Sequence, residues 1–204
     1  MTLDYDGFAT GVNGLGPGTR VVLWTRGCGI GCKGCMTKIL WPQGERQDIE
    51  PLIEQLIPHV KKSDGLTISG GEPFDQPLEL SYLIDRLRQH HDVHVFCYSG
   101  YRLDRLEERT EAQELLKRLD MLMDGPYVDS LPTEKPWRGS DNQELHLLSE
   151  RARQEATLPQ DWRKLQLQPL ANGDVRLIGI PQRGDLQRLQ AALNQKGLRL
   201  GSEL

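Results

Sequence analysis

Three of the chain's four cysteines fall within eight positions, in "TRGCGIGCKGCMT" from 25 to 37, spaced Cys28-x3-Cys32-x2-Cys35. In a reducing compartment, thiolates this close together bind metal or do redox work more readily than they form disulfides. Structural zinc normally takes four protein ligands, and the neighbouring sequence supplies neither a fourth cysteine nor a histidine. In a cubane iron-sulfur cluster, three cysteines hold three of the irons and leave one free for a substrate or cofactor. The interleaved Gly27, Gly29, Gly31 and Gly34 let the backbone wrap closely and aim N–H groups at cluster sulfurs. A flexible glycine loop with incidental cysteines would explain the glycines but not the spacing. A non-enzyme reading, an iron-sulfur electron carrier or a zinc module, stays open at this point.

Three further stretches lie at the ends of predicted strands. "SGGEP" covers Ser69 to Pro73, "CYSGY" covers 97 to 101, and "MDGPYVDSLPTEKPWRGSDNQ" covers 123 to 143. A lone Gly-Gly pair is a weak turn signal. Cys97, inside an apolar run, is expected to be a buried strand residue rather than a ligand.

These stretches need elements to position them. "RVVLWT" (20 to 25), "GLTIS" (65 to 69), "VHVFCY" (93 to 98) and "DMLMDG" (120 to 125) read as strands. Helical spacing recurs from Asp48 to His59, with Asp48 as N-cap and Pro51 in the first turn, and again over 77 to 89 and 103 to 119. Strand and helix alternate, so the expected fold class is α/β with parallel strands and crossover helices. The cysteine loop leaves the first strand and "SGGEP" the second, which is the sheet edge where such folds place their sites. Residues 126 to 163 break the rhythm with prolines and polar runs and read as a loop-rich section with one short helix. "KLQLQPL" and "VRLIGI", joined at Asn172-Gly173, read as a hairpin before a last helix from about 185 to 196. One domain of 204 residues is expected: a core of about 15–125, loop-rich 126–163, and a C-terminal hairpin and helix over 164–197.

Composition excludes several classes. The net charge is -4 with both signs interspersed, so there is no basic footprint for nucleic acid. No apolar run approaches the roughly 20 residues of a membrane span. The start, "MTLDYDGFATGV", lacks the features of a secretory signal, and a cytoplasmic location is expected.

Taken together and in this order, Cys28-x3-Cys32-x2-Cys35 after a first strand and "SGGEP" after the second resemble the radical S-adenosylmethionine (radical SAM) superfamily. "NGLGPGTRVVLWTRGC", "MDGPY" and "RGSDNQ" are similar to the corresponding segments of the anaerobic ribonucleotide reductase activating proteins, over roughly residues 10 to 145. Met36 stands where that group usually has tyrosine. The resemblance implies a partial (β/α) barrel of the radical SAM type and a [4Fe-4S] cluster on Cys28, Cys32 and Cys35. It implies S-adenosyl-L-methionine with its methionine end at Ser69, Gly70, Gly71 and Glu72, where the Glu72 carboxylate would pair with the ammonium. Tyr98 and Ser99 would lie near the ribose or adenine, and Asp124 and Arg138 are the next candidates for cofactor binding. The implied activity is reductive cleavage of the cofactor to a 5'-deoxyadenosyl radical that installs a glycyl radical on a partner enzyme. The electron donor would be a flavodoxin or ferredoxin. The alternative within the superfamily is modification of a small molecule or a ribosomal peptide.

Overall fold

The chain alternates strand and helix through most of its length. Along the sequence run β1 (Thr2–Leu3), β2 (Tyr5–Val12), β3 (Arg20–Thr25), a 3-10 turn (Lys38–Leu40), β4 (Gln47–Asp48), α1 (Ile49–Val60) and β5 (Gly65–Gly70). A second 3-10 turn (Pro73–Asp75) leads into α2 (Pro77–Arg88), β6 (Val95–Tyr98), α3 (Leu103–Glu107), α4 (Thr110–Leu116) and β7 (Met121–Asp124). β8 (Glu144–Leu147), α5 (Glu150–Glu155), β9 (Leu165–Pro169), β10 (Val175–Gly179) and α6 (Asp185–Gln195) complete the order. The computed structural model describes residues 1–155, 165–169, 175–182 and 184–195, so the expected Asn172-Gly173 turn and the residues after 195 lie outside the described residues.

Six strands form the main sheet in the order β2-β3-β5-β6-β7-β8. The central four are parallel and the two edges antiparallel, which gives the expected α/β class with a mostly parallel sheet. Parallel strands are covered on both faces, which accounts for their unbroken apolar runs. Val21, Leu23, Leu66, Ile68, Val95, Cys97 and Leu122 pack into one core with Leu52 and Leu56 of α1, Leu83 and Leu87 of α2 and Leu115 of α4. The alternate residues Val22, Phe96, Met121 and Met123 turn to the opposite face. Each leucine buried in this way contributes about 1.5–3 kcal/mol, so the helix-side core sets the strand register.

Asp48 caps α1, its carboxylate accepting from the Glu50 N–H, as its position before an apolar-periodic run predicts. The helix expected over 103 to 119 is instead two short ones. Between them Arg109 is extended, donates to the Phe74 carbonyl (2.9 Å) and lies over the Tyr101 ring at 5.2 Å. That anchor takes the chain out of helical geometry for one residue. Four strands were not expected: the two-residue β1 and β4, which pair with each other, β2, whose glycines blur its alternation, and β8, within the section read as loop. Among the described residues, no helix is long and apolar enough to cross a membrane.

Candidate cluster and cofactor site

The sheet brings the cysteine loop and the Gly-Gly-Glu stretch together at one edge. β3 and β5 pair in parallel up to Trp24 opposite Ser69 and Thr25 opposite Gly70. Beyond the strands the ladder continues: the Gly71 N–H donates to the Thr25 carbonyl and the Glu72 N–H to the Gly27 carbonyl, both at 2.8 Å. The base of the cysteine loop is held from its other side as well, with Gly27 N–H on Leu40 O (2.9 Å) and Cys28 N–H on Trp41 O (3.0 Å). Buried Gln76 adds a further tie, donating to the carbonyls of Asp4 and Arg26.

This approach explains why the motif is Gly-Gly. A Cβ at Gly71 would fall 2.2 Å from the Gly27 carbonyl oxygen, and one at Gly70 would fall 2.4 Å from Thr25 O, with φ at +109° besides. Only glycine lets the two strand ends close to this distance.

Cys28, Cys32 and Cys35 are partly exposed on the loop, and Cys97 is buried in the helix-side core. Burial pushes the Cys32 thiol up, a Tyr127 backbone hydrogen bond opposes this, and the charges of Cys35 and Cys28 add to the rise. A sulfur whose ionisation burial and its neighbours oppose is one that a cationic centre would stabilise. Sulfurs on one tetrahedral zinc, at bonds of about 2.3 Å, sit about 3.8 Å apart. Among the described residues, three donor atoms within 4.8 Å of one another occur at Asp124, Glu144 and His146, not at the cysteines. The wider placement suits a cluster, in which each cysteine binds a different iron.

Glu72 and Ser99 come together where β5 and β6 end. The Glu72 carboxylate accepts from the Phe74 N–H (2.9 Å), the Ser99 hydroxyl (2.9 Å) and the Gly100 N–H (2.7 Å). It is 1% exposed, and burial raises its pKa to about 7 against the pull of these three hydrogen bonds. The hydroxyl of Ser99 also accepts from the Tyr101 N–H, so one serine fixes the turn after β6.

Tyr98 faces the side opposite the helices, its ring 4.8 Å from that of Phe96. Burial pushes its phenol well up, against the opposing charge of Arg20. Its hydroxyl has no hydrogen-bond partner among the described residues. Asp124 turns away from this group: its carboxylate accepts from the Leu103 N–H at the start of α3 (2.6 Å) and meets His146 Nε2 at 3.2 Å, on the helix side of the sheet. Arg138 is half-buried in the 126–143 loop; the Asp141 carboxyl is held low first by its Lys135 hydrogen bond, with Arg138 a weaker contributor.

That loop is ordered by its own amides. Gln143 accepts from the N–H groups of Gly139 and Ser140 and donates to Gly125 O, while Asn142 donates to Pro126 O. Trp137 was not anticipated as part of the site. It is 2% exposed, contacts Phe96 edge-on at 6.0 Å, and holds φ at +62°, a strained value for a bulky residue. Its place beside Arg138 was the available signal.

The sequence model of the 4Fe-4S single cluster domain family matches residues 13–146, a span that contains the cysteine loop, the Gly-Gly-Glu edge and the 126–143 loop. The chain belongs to that family. It is similar to three anaerobic ribonucleoside-triphosphate reductase-activating proteins. That of Enterobacteria phage T4 is 35% identical over 136 residues, covering 64% of this chain and 85% of the relative. That of Vibrio cholerae serotype O1 is 34% identical over 142 residues (64% and 89%), and that of Escherichia coli K12 is 31% identical over 142 (65% and 91%). The resemblance to the activating-protein group of the radical SAM superfamily is borne out, and with it a 4Fe-4S cluster domain.

Proposed function

We propose that the chain is a radical SAM activating enzyme that reductively cleaves S-adenosyl-L-methionine and installs a glycyl radical on an anaerobic ribonucleoside-triphosphate reductase. The observation that carries this is the ladder between Gly27 and Glu72, which sets the cysteine loop directly against the Gly-Gly-Glu edge. An electron carrier has no need of that edge. We take the sheet as a partial (β/α) barrel of the radical SAM type, with its site at the carboxyl ends of the parallel strands.

When bound, the reduced cluster and S-adenosylmethionine supply the one-electron cleavage that yields methionine and a 5'-deoxyadenosyl radical. Cys28, Cys32 and Cys35 hold the cluster. Ser69, Gly70, Gly71 and Glu72 receive the methionine end, Gly70 and Gly71 through backbone that no side chain obstructs. Glu72, with a pKa of about 7, ionises when an ammonium approaches and lowers its cost of burial. Tyr98 and Ser99 border the nucleoside end. Asp124 holds the start of α3 rather than the cofactor, and Arg138, on the 126–143 loop, is the further candidate for cofactor binding. The electron comes from a flavodoxin or ferredoxin.

The test is anaerobic reconstitution with iron and sulfide, followed by electron paramagnetic resonance with and without S-adenosylmethionine and an assay for 5'-deoxyadenosine. A cluster signal that shifts with the cofactor, with 5'-deoxyadenosine formed and a glycyl radical appearing on added reductase, is the expected result. A cluster indifferent to the cofactor would return the chain to the carrier reading.

A further inference from the structure

β7 and β8 hold a second set of donor groups, without cysteine, on the helix side of the sheet. In their antiparallel register Asp124 faces Glu144 and Leu122 faces His146. Asp124, Glu144 and His146 therefore share one face, while Met121, Met123, Leu145 and Leu147 take the other. One ligand atom from each of the three lies within 4.8 Å of the other two. β8 is the outermost strand on this side, Glu144 is exposed and Asp124 is buried, so an ion has a way in from solvent and a fixed carboxylate to meet.

The geometry within the set is that of ligands rather than of an ion pair. His146 Nε2 lies 3.2 Å from an Asp124 carboxylate oxygen, yet this buried nitrogen makes no hydrogen bond. A ring N–H donor would aim along the ring plane at its acceptor; here the two atoms sit side by side. Donors 3.2 Å apart, each about 2.1 Å from a common centre, subtend about 100° there, between the octahedral and tetrahedral angles. A buried ring nitrogen without a partner is costly, and a metal ion satisfies it. The same Asp124 oxygen accepts from the Leu103 N–H at 2.6 Å, the kind of outer hydrogen bond that holds a ligating carboxylate in place. Among the described residues, no lysine or arginine pairs with Asp124 or Glu144. One imidazole and two carboxylates favour zinc or a similar transition ion over magnesium or calcium, and zinc takes both donor types with water completing its four ligands.

We propose that Asp124, Glu144 and His146 bind one divalent ion of the zinc class, separate from the iron-sulfur cluster, and that this ion clasps the stem of the 126–143 loop. Asp124 ends β7 and Glu144 begins β8, the strands on either side of the loop, so one ion bound to both joins its two ends. Gln143, donating to the Gly125 carbonyl at 3.0 Å, ties the next pair inward. The ion thereby fixes the loop that carries Trp137 and Arg138. This metal site does not depend on the activating-enzyme function.

The experiment is anaerobic equilibrium dialysis of the full cluster-loaded chain over a range of free zinc up to about 10 μM, with zinc and iron per chain counted by mass spectrometry. The proteins compared are wild type, His146→Ala, Glu144→Gln and the exposed control His90→Ala. Wild type and His90→Ala are expected to take up one zinc with iron unchanged. His146→Ala and Glu144→Gln are expected to bind zinc at least about tenfold more weakly, with the iron content and unfolding midpoint of the zinc-free proteins near those of wild type. Zinc is also expected to slow amide exchange over 126–143 in wild type and not in His146→Ala. Uptake that both site variants match, uptake accompanied by loss of iron, or no uptake by wild type overturns the site. Bound zinc that leaves exchange over 126–143 unchanged overturns the clasp.

Discussion

Replacing Gly71 by alanine tests whether the Gly-Gly edge exists to let two strand ends meet. The new Cβ would fall 2.2 Å from the Gly27 carbonyl oxygen, 2.9 Å from its carbon and 3.0 Å from the Arg26 carbonyl carbon, where ordinary contact begins near 3.4 Å. All three neighbours are backbone, so the loop base must retreat by about 1 Å. That retreat breaks or lengthens the hydrogen bonds from Gly71 to Thr25 and from Glu72 to Gly27. Overpacking costs about 1–3 kcal/mol and each lost hydrogen bond about 0.5–1.5, so the variant should lose about 3 kcal/mol. Anaerobic urea unfolding of the reduced, metal-free chain reads this directly, and iron per chain after reconstitution reads the displacement of the cysteines. Gly29→Ala is the control, since nothing lies within 4 Å of a Cβ there although it sits between two cysteines. A Gly71→Ala variant within about 0.5 kcal/mol of wild type and with full iron, or a Gly29→Ala variant equally damaged, would refute the reasoning.

Glu72 makes stability depend on pH in the direction opposite to a salt-bridged carboxylate. Its folded pKa, about 7, lies above the ordinary 4.5, so between these values the unfolded chain releases a proton that the folded chain keeps. Stability should therefore fall as pH rises from about 4.5 to about 7, by on the order of 3 kcal/mol, and level off above. Glu72→Gln should flatten that part of the profile in urea midpoints taken from pH 5 to 8; an unchanged slope would show that another group is responsible. Cys28→Ala, Cys32→Ala and Cys35→Ala should each abolish 5'-deoxyadenosine formation, whereas Cys97→Ala, in the helix-side core, should keep the cluster spectrum and lose about 1 kcal/mol of stability. Asp124→Ala removes the acceptor for Leu103 N–H and the partner of His146, and should cost about 1–2 kcal/mol in thermal unfolding with iron content unchanged.

The parallel strands and the helices α1 and α2 could be read from the chain because their signal is local: apolar residues at the period of the element they form. β8 and the break at Arg109 could not. The first is four residues whose strand character comes from pairing with β7, and the second depends on a carbonyl 35 positions away. The same division runs through the site. The cysteines and the Gly-Gly pair announce themselves by type and spacing, but that Glu72 would hold the turn after β6 required knowing that Ser99 and Gly100 arrive beside it. Asp124 shows the converse: a strand-end carboxylate in a suggestive motif faces the helices, because strand alternation gives it the same side as Leu122.

β2 is the outermost strand of the sheet, and an outermost strand offers unpaired backbone to any other chain that approaches it. Here side chains, not a further strand, occupy that backbone: Gln166 donates to Gly11 O (2.9 Å) and accepts from Asn13 N–H, Gln168 donates to Thr10 O (3.2 Å), and Arg176 to Phe8 O (3.2 Å). Glutamine and arginine satisfy the carbonyls without continuing a ladder, so the sheet ends there. A chain shortened to the region shared with its relatives would bare those carbonyls together with the apolar patch under Ile178, and its first failing would be colloidal: edge-to-edge stacking into aggregates, before any loss of the fold itself.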